Sequence, residues 1–510
     1  MNLRSFSFVL LVLAVTMVAF APAPVAAATC ESLKSLSLEN ATITSAQAVA
    51  AGQFSLPEAG RGAAQENAVY KQLPTFCRVA ATLRPSSDSD IKIEVWLPMG
   101  NWNGKYQAVG NGGWAGVISY SAMAEALARG YATSSTDTGH VGGSGSFALG
   151  HQEKLVDFGY RSEHEMTVKS KLLIKAFYGN PPQFSYWNGC STGGRQGLKE
   201  AQMFPNDYDG IIAGAPANRT AMPLWIASAA LKDKDSYIPT SKYPAIHEAA
   251  LKSCDALDGV KDGLIEDPRQ CKFDPKVLLC KAEDNASCLT APQVEAARKI
   301  YSPGKNPRTG KELFPSLVPG TELGWGIQAA GPDPSANIFD HYKYVVYKDP
   351  HWDWRTFDFD KGIERAEKPE NNVMNATDPD LKEFFAHNGK LLLYHGWSDP
   401  QVATLNTIKY YESVVGTMGG ASKTSNNIRL FLEPGMGHCR GGEGPNVFDK
   451  VGTLEQWVEK GTAPIKSLRP TPQTARWIAR GRSARTRRLR STRDREVSMT
   501  RRTLCASRKQ

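Results

Sequence analysis

Past residue 28, this 510-residue chain lacks any apolar run long enough to cross a bilayer, so no later helix is expected to insert stably in a membrane. Its body also lacks net charge. Of the Lys+Arg, 13 fall in residues 476–510 against 2 Asp+Glu, leaving 47 against 49 for everything before. The formal +9 is therefore a property of the tail. A nearly neutral body carries no electrostatic footprint of a nucleic-acid binder and gives no sign of a polyanionic substrate. The tail itself has no amphipathic period and reads as disordered, either a frameshifted end or a polybasic surface anchor. Residues 1–28 have a short basic start (Arg4), an apolar run from Phe6 to Phe20 and small residues at 25–28, the pattern of a cleaved secretory signal. A secreted or periplasmic protein is expected, in which nine cysteines point to disulfides more than to thiol chemistry.

What is present, with 41% hydrophobic residues, suffices for a large core and two or three domains. The stretch Gly189-Cys190-Ser191-Thr192-Gly193 lies between a β-like segment (184–187) and a helix-like one. Small residues on both sides of a serine suit a tight strand-to-helix turn that lifts its hydroxyl towards a substrate. An apolar strand at 390–394 then runs into Asp399, and a second at 428–432 runs into His438. Ser191, Asp399 and His438 stand in the chain order of the α/β-hydrolase triad, unlike the chymotrypsin and subtilisin orders. Cys190 precedes the serine and Cys439 follows the histidine. A hydrogen bond from Ser191 to His438 would bring the two cysteines within the roughly 4.4–6.8 Å between Cα atoms that a disulfide spans.

This Cys-Ser, Asp, His-Cys constellation resembles the tannase and feruloyl esterase family over roughly residues 30–475. That family includes esterases of aromatic acids and the bacterial hydrolase of mono(hydroxyethyl) terephthalate. The resemblance implies an α/β-hydrolase fold with a large inserted lid domain and a serine esterase acting on small aromatic esters. Ser191 would be the nucleophile, His438 the general base and acid, and Asp399 the residue that orients the imidazole. No organic cofactor is called for. Thr192, next after the nucleophile, and the loop Gly110-Asn111-Gly112-Gly113 would supply the oxyanion N–H groups, with Gly113 preferred by the resemblance. Spacing and resemblance together favour the pairs Cys30–Cys77, Cys254–Cys271 and Cys280–Cys288 beside Cys190–Cys439, leaving Cys505 over.

Further strands are expected at 91–97, 105–109, 131–135 and 208–216, the first alternating as a half-buried strand should. A helix over 165–178 is expected to pack on the sheet through Val168, Leu172, Leu173 and Phe177. Asp137 and His140 precede the elbow, break the triad order and are assigned to scaffolding. From about 217 to 382 the strand–helix alternation lapses for too long to be a loop. The catalytic domain is thus expected over 29–216 and 383–475, with the lid over 217–382 bearing Trp225, Trp325, Tyr342, Trp352 and Trp354 as candidate acyl-pocket residues. Within it, Asp255 to Asp267 gathers carboxylates around two glycines, which suits either calcium or an acidic surface turn. The resemblance implies structural calcium, held by carboxylates of Asp255, Asp258 and Asp262 and carbonyls of Val260 and Leu264. Rival readings are another serine hydrolase on the same sheet, a polyester depolymerase or peptidase, or a non-catalytic surface-binding protein.

Overall fold

The computed structural model describes residues 28–57, 69–219, 222–329, 331, 334 and 336–464. The signal-like segment up to residue 27, Cys505 and the basic tail lie outside the described residues. Two compact units divide the chain, one of residues 1–221 with 336–389 and one of 222–335 with 390–510. The stretch 217–382, expected as one insertion, is thereby shared between them.

In the first unit the strands are β1 (Ala41–Val49), β2 (Phe76–Leu83), β3 (Ile91–Pro98), β4 (Lys105–Val109), β5 (Ala132–Thr136), β6 (Phe184–Cys190) and β7 (Gly210–Gly214), in the spatial order β1-β2-β3-β5-β4-β6-β7. The outer pairs from β1 to β5 are antiparallel, whereas β5–β4, β4–β6 and β6–β7 are parallel. The disulfide Cys30–Cys77 ties the chain ahead of β1 to β2.

β3 is not half-buried as its alternation suggests. Both faces are covered, because Phe54, Tyr70, Phe76, Trp96 and Met123 pack into one cluster over it, with Phe54 and Trp96 rings 4.6 Å apart. Glu94 on this strand survives burial by accepting from Arg78 Nε at 2.8 Å, Trp96 Nε1 at 2.9 Å and Tyr120 Oη at 2.8 Å. A carboxylate that satisfies its lone pairs this way can lie in a core without unpaired polar atoms.

The helix Ser162–Tyr178 is likewise rotated from expectation. Leu173 is buried, but Leu172 is 45% exposed. The buried stripe includes Glu163, Met166, Thr167, Ser170 and Ile174. Counting apolar residues misses this face because it includes polar members, of which Thr167 is satisfied by the Glu163 carbonyl at 2.8 Å and by the Tyr208 hydroxyl. The candidate pocket residues Tyr342 and Trp354 belong to this unit and are buried in it, and Trp352 stacks on Tyr347 at 4.8 Å.

The second unit contains the helices Met222–Leu231, Tyr243–Cys254 and Ala291–Ile300 and the short pair β8 (Gly304–Lys305) and β9 (Glu312–Phe314). Thr290 and Gln293 form a reciprocal capping box on the last of these helices. Cys254–Cys271 and Cys280–Cys288 are bridged as expected. Trp325 is core, its Nε1 donating to Thr321 Oγ1 at 3.0 Å. β10 (Lys390–Gly396) and β11 (Ile428–Glu433) pair in parallel, from Leu391 opposite Ile428 to Gly396 opposite Glu433. Every residue of β10 is buried, which accounts for the unbroken apolar run that marked it in the sequence. Among the described residues no helix is long and apolar enough to cross a membrane.

Candidate active site

Ser191 follows β6 and caps the helix Thr192–Met203 with φ 62° and ψ −121°. A non-glycine residue with positive φ is costly and persists only where its surroundings enforce it. Here they do. Ser191 N donates to the Gly214 carbonyl at 2.9 Å, and the Ser191 carbonyl accepts from Arg195 N at 3.0 Å and Ala217 N at 3.1 Å. The flanking glycines are steric requirements, since a Cβ on Gly189 would collide with the Gly193 carbonyl, and one on Gly193 would stand 3.1 Å from Gly110 Cα and the Asn111 carbonyl.

That close approach brings the 110–113 loop against the start of the elbow helix. Gly193 N donates to the Asn111 carbonyl at 2.8 Å, and Thr192 Oγ1 donates to the Gly113 carbonyl at 2.9 Å. Gln196 clamps the loop from one turn further on, accepting from Asn111 N at 3.0 Å and donating to Asn111 Oδ1 at 3.1 Å. Asn111 Nδ2 in turn reaches the carbonyls of Val117 and Thr136, both at 2.9 Å. His140 fixes the other side, its Nε2 bonding the Trp114 carbonyl at 2.8 Å while Asp137 accepts from Lys92 N and Gly139 N. Gly113 has φ +54°. The Thr192 N–H lies in the first helical turn, outside the intrahelical ladder, and is free to meet negative charge.

In the second unit Asp399 follows β10 and His438 follows β11. His438 Nδ1 donates to Asp399 Oδ2 at 2.6 Å, leaving Nε2 for proton transfer. The same Oδ2 accepts from His395 Nε2 at 3.0 Å, and Oδ1 accepts from Gln401 N at 2.8 Å and Val402 N at 3.0 Å. Burial by itself would raise the Asp399 carboxyl; the hydrogen bonds from His395 and His438 outweigh it and hold the group far below the usual carboxylate range. The two loops touch because residue 396 is glycine, as a Cβ there would collide with the Met436 carbonyl. Cys439, beside the histidine, has φ 62°. Cys190 and Cys439 are each disulfide-bonded.

The sequence profile of the tannase and feruloyl esterase family matches residues 77–490. The chain is 38% identical over 412 residues to a probable feruloyl esterase B-2 of Aspergillus terreus, spanning 76% of this chain and 77% of that one. The chain belongs to the tannase and feruloyl esterase family. An uncharacterised esterase of Xanthomonas campestris pv. campestris is 37% identical across 89% of this chain and 90% of its own. The crystal structure of feruloyl esterase B from Aspergillus oryzae superposes with a TM-score of 0.79 at 34% identity, covering 85% of this chain and 90% of that one. Tannin acyl hydrolase from Aspergillus niger, at 23% identity and TM-score 0.69 over 84% and 85% of the two chains, shares the fold. The fold is that of the α/β-hydrolases, and the protein is a carboxylic ester hydrolase.

Three residues of this esterase's site were not singled out from sequence. Gln196 and Asn111 lie 85 positions apart and meet only through packing. His395 lies inside the apolar run of β10 and reads there as one more strand residue. A usable signal is its spacing, four positions ahead of Asp399, on the last turn of chain before the acid.

On the acidic loop, Asp255 Oδ1 accepts from Asp262 N at 3.1 Å and Gly263 N at 3.2 Å, Asp258 Oδ1 from Val260 N at 2.9 Å, and Asp262 Oδ1 from Leu264 N at 3.2 Å. These bonds leave Asp258 Oδ2 and Asp262 Oδ2 for a cation. Glu266 alongside is pushed up by burial and then by Asp258, Asp262 and Asp267, a sign of negative charge in surplus. The donors are hard oxygens of the kind calcium takes, but as the loop stands the Asp255, Asp258 and Asp262 carboxylates do not bring three ligand oxygens within 4.8 Å of one another.

Proposed function

We propose that this chain is an exported serine esterase that hydrolyses esters of phenolic acids through Ser191, His438 and Asp399. The observation that carries the reading is the enforced positive φ of Ser191 at a strand-to-helix elbow, in a chain whose Asp399 and His438 are already hydrogen-bonded at 2.6 Å. Ser191 Oγ attacks the ester carbonyl as His438 Nε2 takes its proton. The N–H groups of Thr192 and Gly113 receive the oxyanion; losing one such donor typically costs about 10²–10³ in rate. Collapse of the tetrahedral intermediate expels the alcohol, protonated by His438, and leaves an acyl-enzyme that water, deprotonated by the same imidazole, then hydrolyses. Asp399 stays ionised throughout and stabilises the imidazolium.

The phenolic acyl group rests on the names of the relatives, and export rests on the signal-like segment together with disulfides. Of the eight bonded cysteines six pair among themselves, which supports Cys190 with Cys439 as the remaining bridge, stapling nucleophile to base. Calcium bound by Asp255, Asp258 and Asp262, with the carbonyls of Val260 and Leu264, would supply positive charge that cross-links the acidic loop. A panel of galloyl, feruloyl and terephthaloyl esters, run beside fluorophosphonate labelling, tests the reading. Turnover of at least one of them is expected, with labelling confined to Ser191 and both lost in Ser191→Ala. Turnover surviving in Ser191→Ala, or hydrolysis of aliphatic esters alone, would refute it.

A further inference from the structure

We propose that His395 is a positioning residue of this esterase, a second histidine that holds the Asp399 carboxylate in the plane from which it bonds His438. The inference rests on the triad reading above. His395 is fully buried on β10, opposite Leu432 of β11, so its backbone belongs to a paired strand and not to a loop. Its Nε2 faces only acceptors, Asp399 Oδ2 at 3.0 Å and the Val402 carbonyl at 3.1 Å, and must therefore carry a proton. Its Nδ1 lies 2.8 Å from Thr407 Oγ1, whose hydroxyl can donate to the lone pair and so fix that tautomer.

The consequence for Asp399 is complete restraint. Oδ1 is held by two backbone N–H groups of its own turn, and Oδ2 is shared between two imidazoles. Of those imidazoles only His438, on a loop, has to take up and release protons. His395 supplies the fixed half of the pair, anchored through the strand and through Thr407. A catalytic group held by packed, hydrogen-bonded neighbours on rigid elements keeps its geometry better than one held by loops alone.

His395→Leu removes the donor and keeps the strand apolar. It should lower kcat about tenfold or more with little change in KM, the size expected for one hydrogen bond to a charged group. The acid limb of kcat/KM should move to higher pH, since Asp399 Oδ2 then bonds His438 alone. His395→Gln, whose amide can donate from near the position of Nε2, should recover most of the loss. Thr407→Val should shift the limb in the same direction by less, and it decides the matter if the leucine variant does not fold. Unchanged kcat and an unmoved acid limb in protein that melts normally would overturn the proposal, as would a glutamine variant as poor as the leucine one. Ser191→Ala run alongside separates the readings: turnover surviving there brings down the triad and this proposal together, whereas a silent His395→Leu brings down this proposal alone.

Discussion

Glu163 should make this esterase less stable as pH rises through neutrality, and Glu163→Gln should remove the effect. The side chain is 1% exposed beneath the elbow helix, where Oε1 accepts from Gln196 and Oε2 has no partner among the described residues. Burial pushes its carboxyl up from 4.5 to about 7, against the pull of the buried Arg195 guanidinium. In the unfolded chain the group ionises near its ordinary value, whereas the folded protein keeps its proton until about pH 7. Between those values the folded state binds more protons, so stability is full below the lower one and falls until the higher one is passed. At about 1.4 kcal/mol per pH unit, the loss between pH 4.5 and 8 comes to about 3 kcal/mol. Glutamine keeps the acceptor for Gln196 and does not titrate. Thermal melts of both proteins at pH 4.5, 6, 7 and 8 should therefore diverge, the variant gaining on the order of 5 °C relative to wild type at the alkaline end. Parallel melting curves would refute the reasoning, and would mean that Arg195 keeps Glu163 ionised in the folded state at every pH tested.

Three further outcomes can be checked directly. Gln196→Ala removes two of the bonds that tie the 110–113 loop to the elbow helix and should lower kcat about tenfold or more with KM nearly unchanged; wild-type kcat in folded variant would show that Gly193 N and Thr192 Oγ1 suffice for that tie. Chelation should lower the melting temperature more than it lowers turnover at saturating substrate, because calcium on the Asp255–Leu264 loop would bind only the native state; elemental analysis of protein purified without chelator that finds no calcium would rule the site out. A non-reduced digest should yield Cys190 joined to Cys439, closing a loop worth about 5 kcal/mol in the chain-entropy account, and a free Cys190 thiol would exclude the bridge.

The parts of the site that were legible in the sequence are those where one residue type has no substitute. Gly189 is forced by a contact closer than any Cβ allows and Gly193 by contacts tighter than most Cβ atoms meet, and β10 announces itself as an apolar run because it is buried on both faces. What stayed hidden has the opposite character. Glu94, Thr167 and Gln196 are polar residues whose burial is tolerable because partners distant in sequence satisfy them, and no local pattern records those partners. His395 is the clearest instance, since its neighbours in sequence mark a strand while its chemistry depends on Asp399 and Thr407 in space.

These hidden polar groups also help to explain how a strained serine is held, beyond the disulfide at the neighbouring Cys190. Ser191 keeps its positive φ because the helix behind it cannot relax. Arg195 is tied to the Gly159 carbonyl at 2.7 Å and the Phe158 carbonyl at 3.1 Å, and Gln196 to Asn111 and Glu163. An apolar core at those positions could bury more area, but it would let the helix slide, since hydrophobic contact is non-directional. Hydrogen bonds with fixed partners specify one register and become costly if broken away from water. The two residues that follow the elbow glycines, Arg195 and Gln196, thus belong to the catalytic geometry as much as the glycines do, although neither touches a reacting atom.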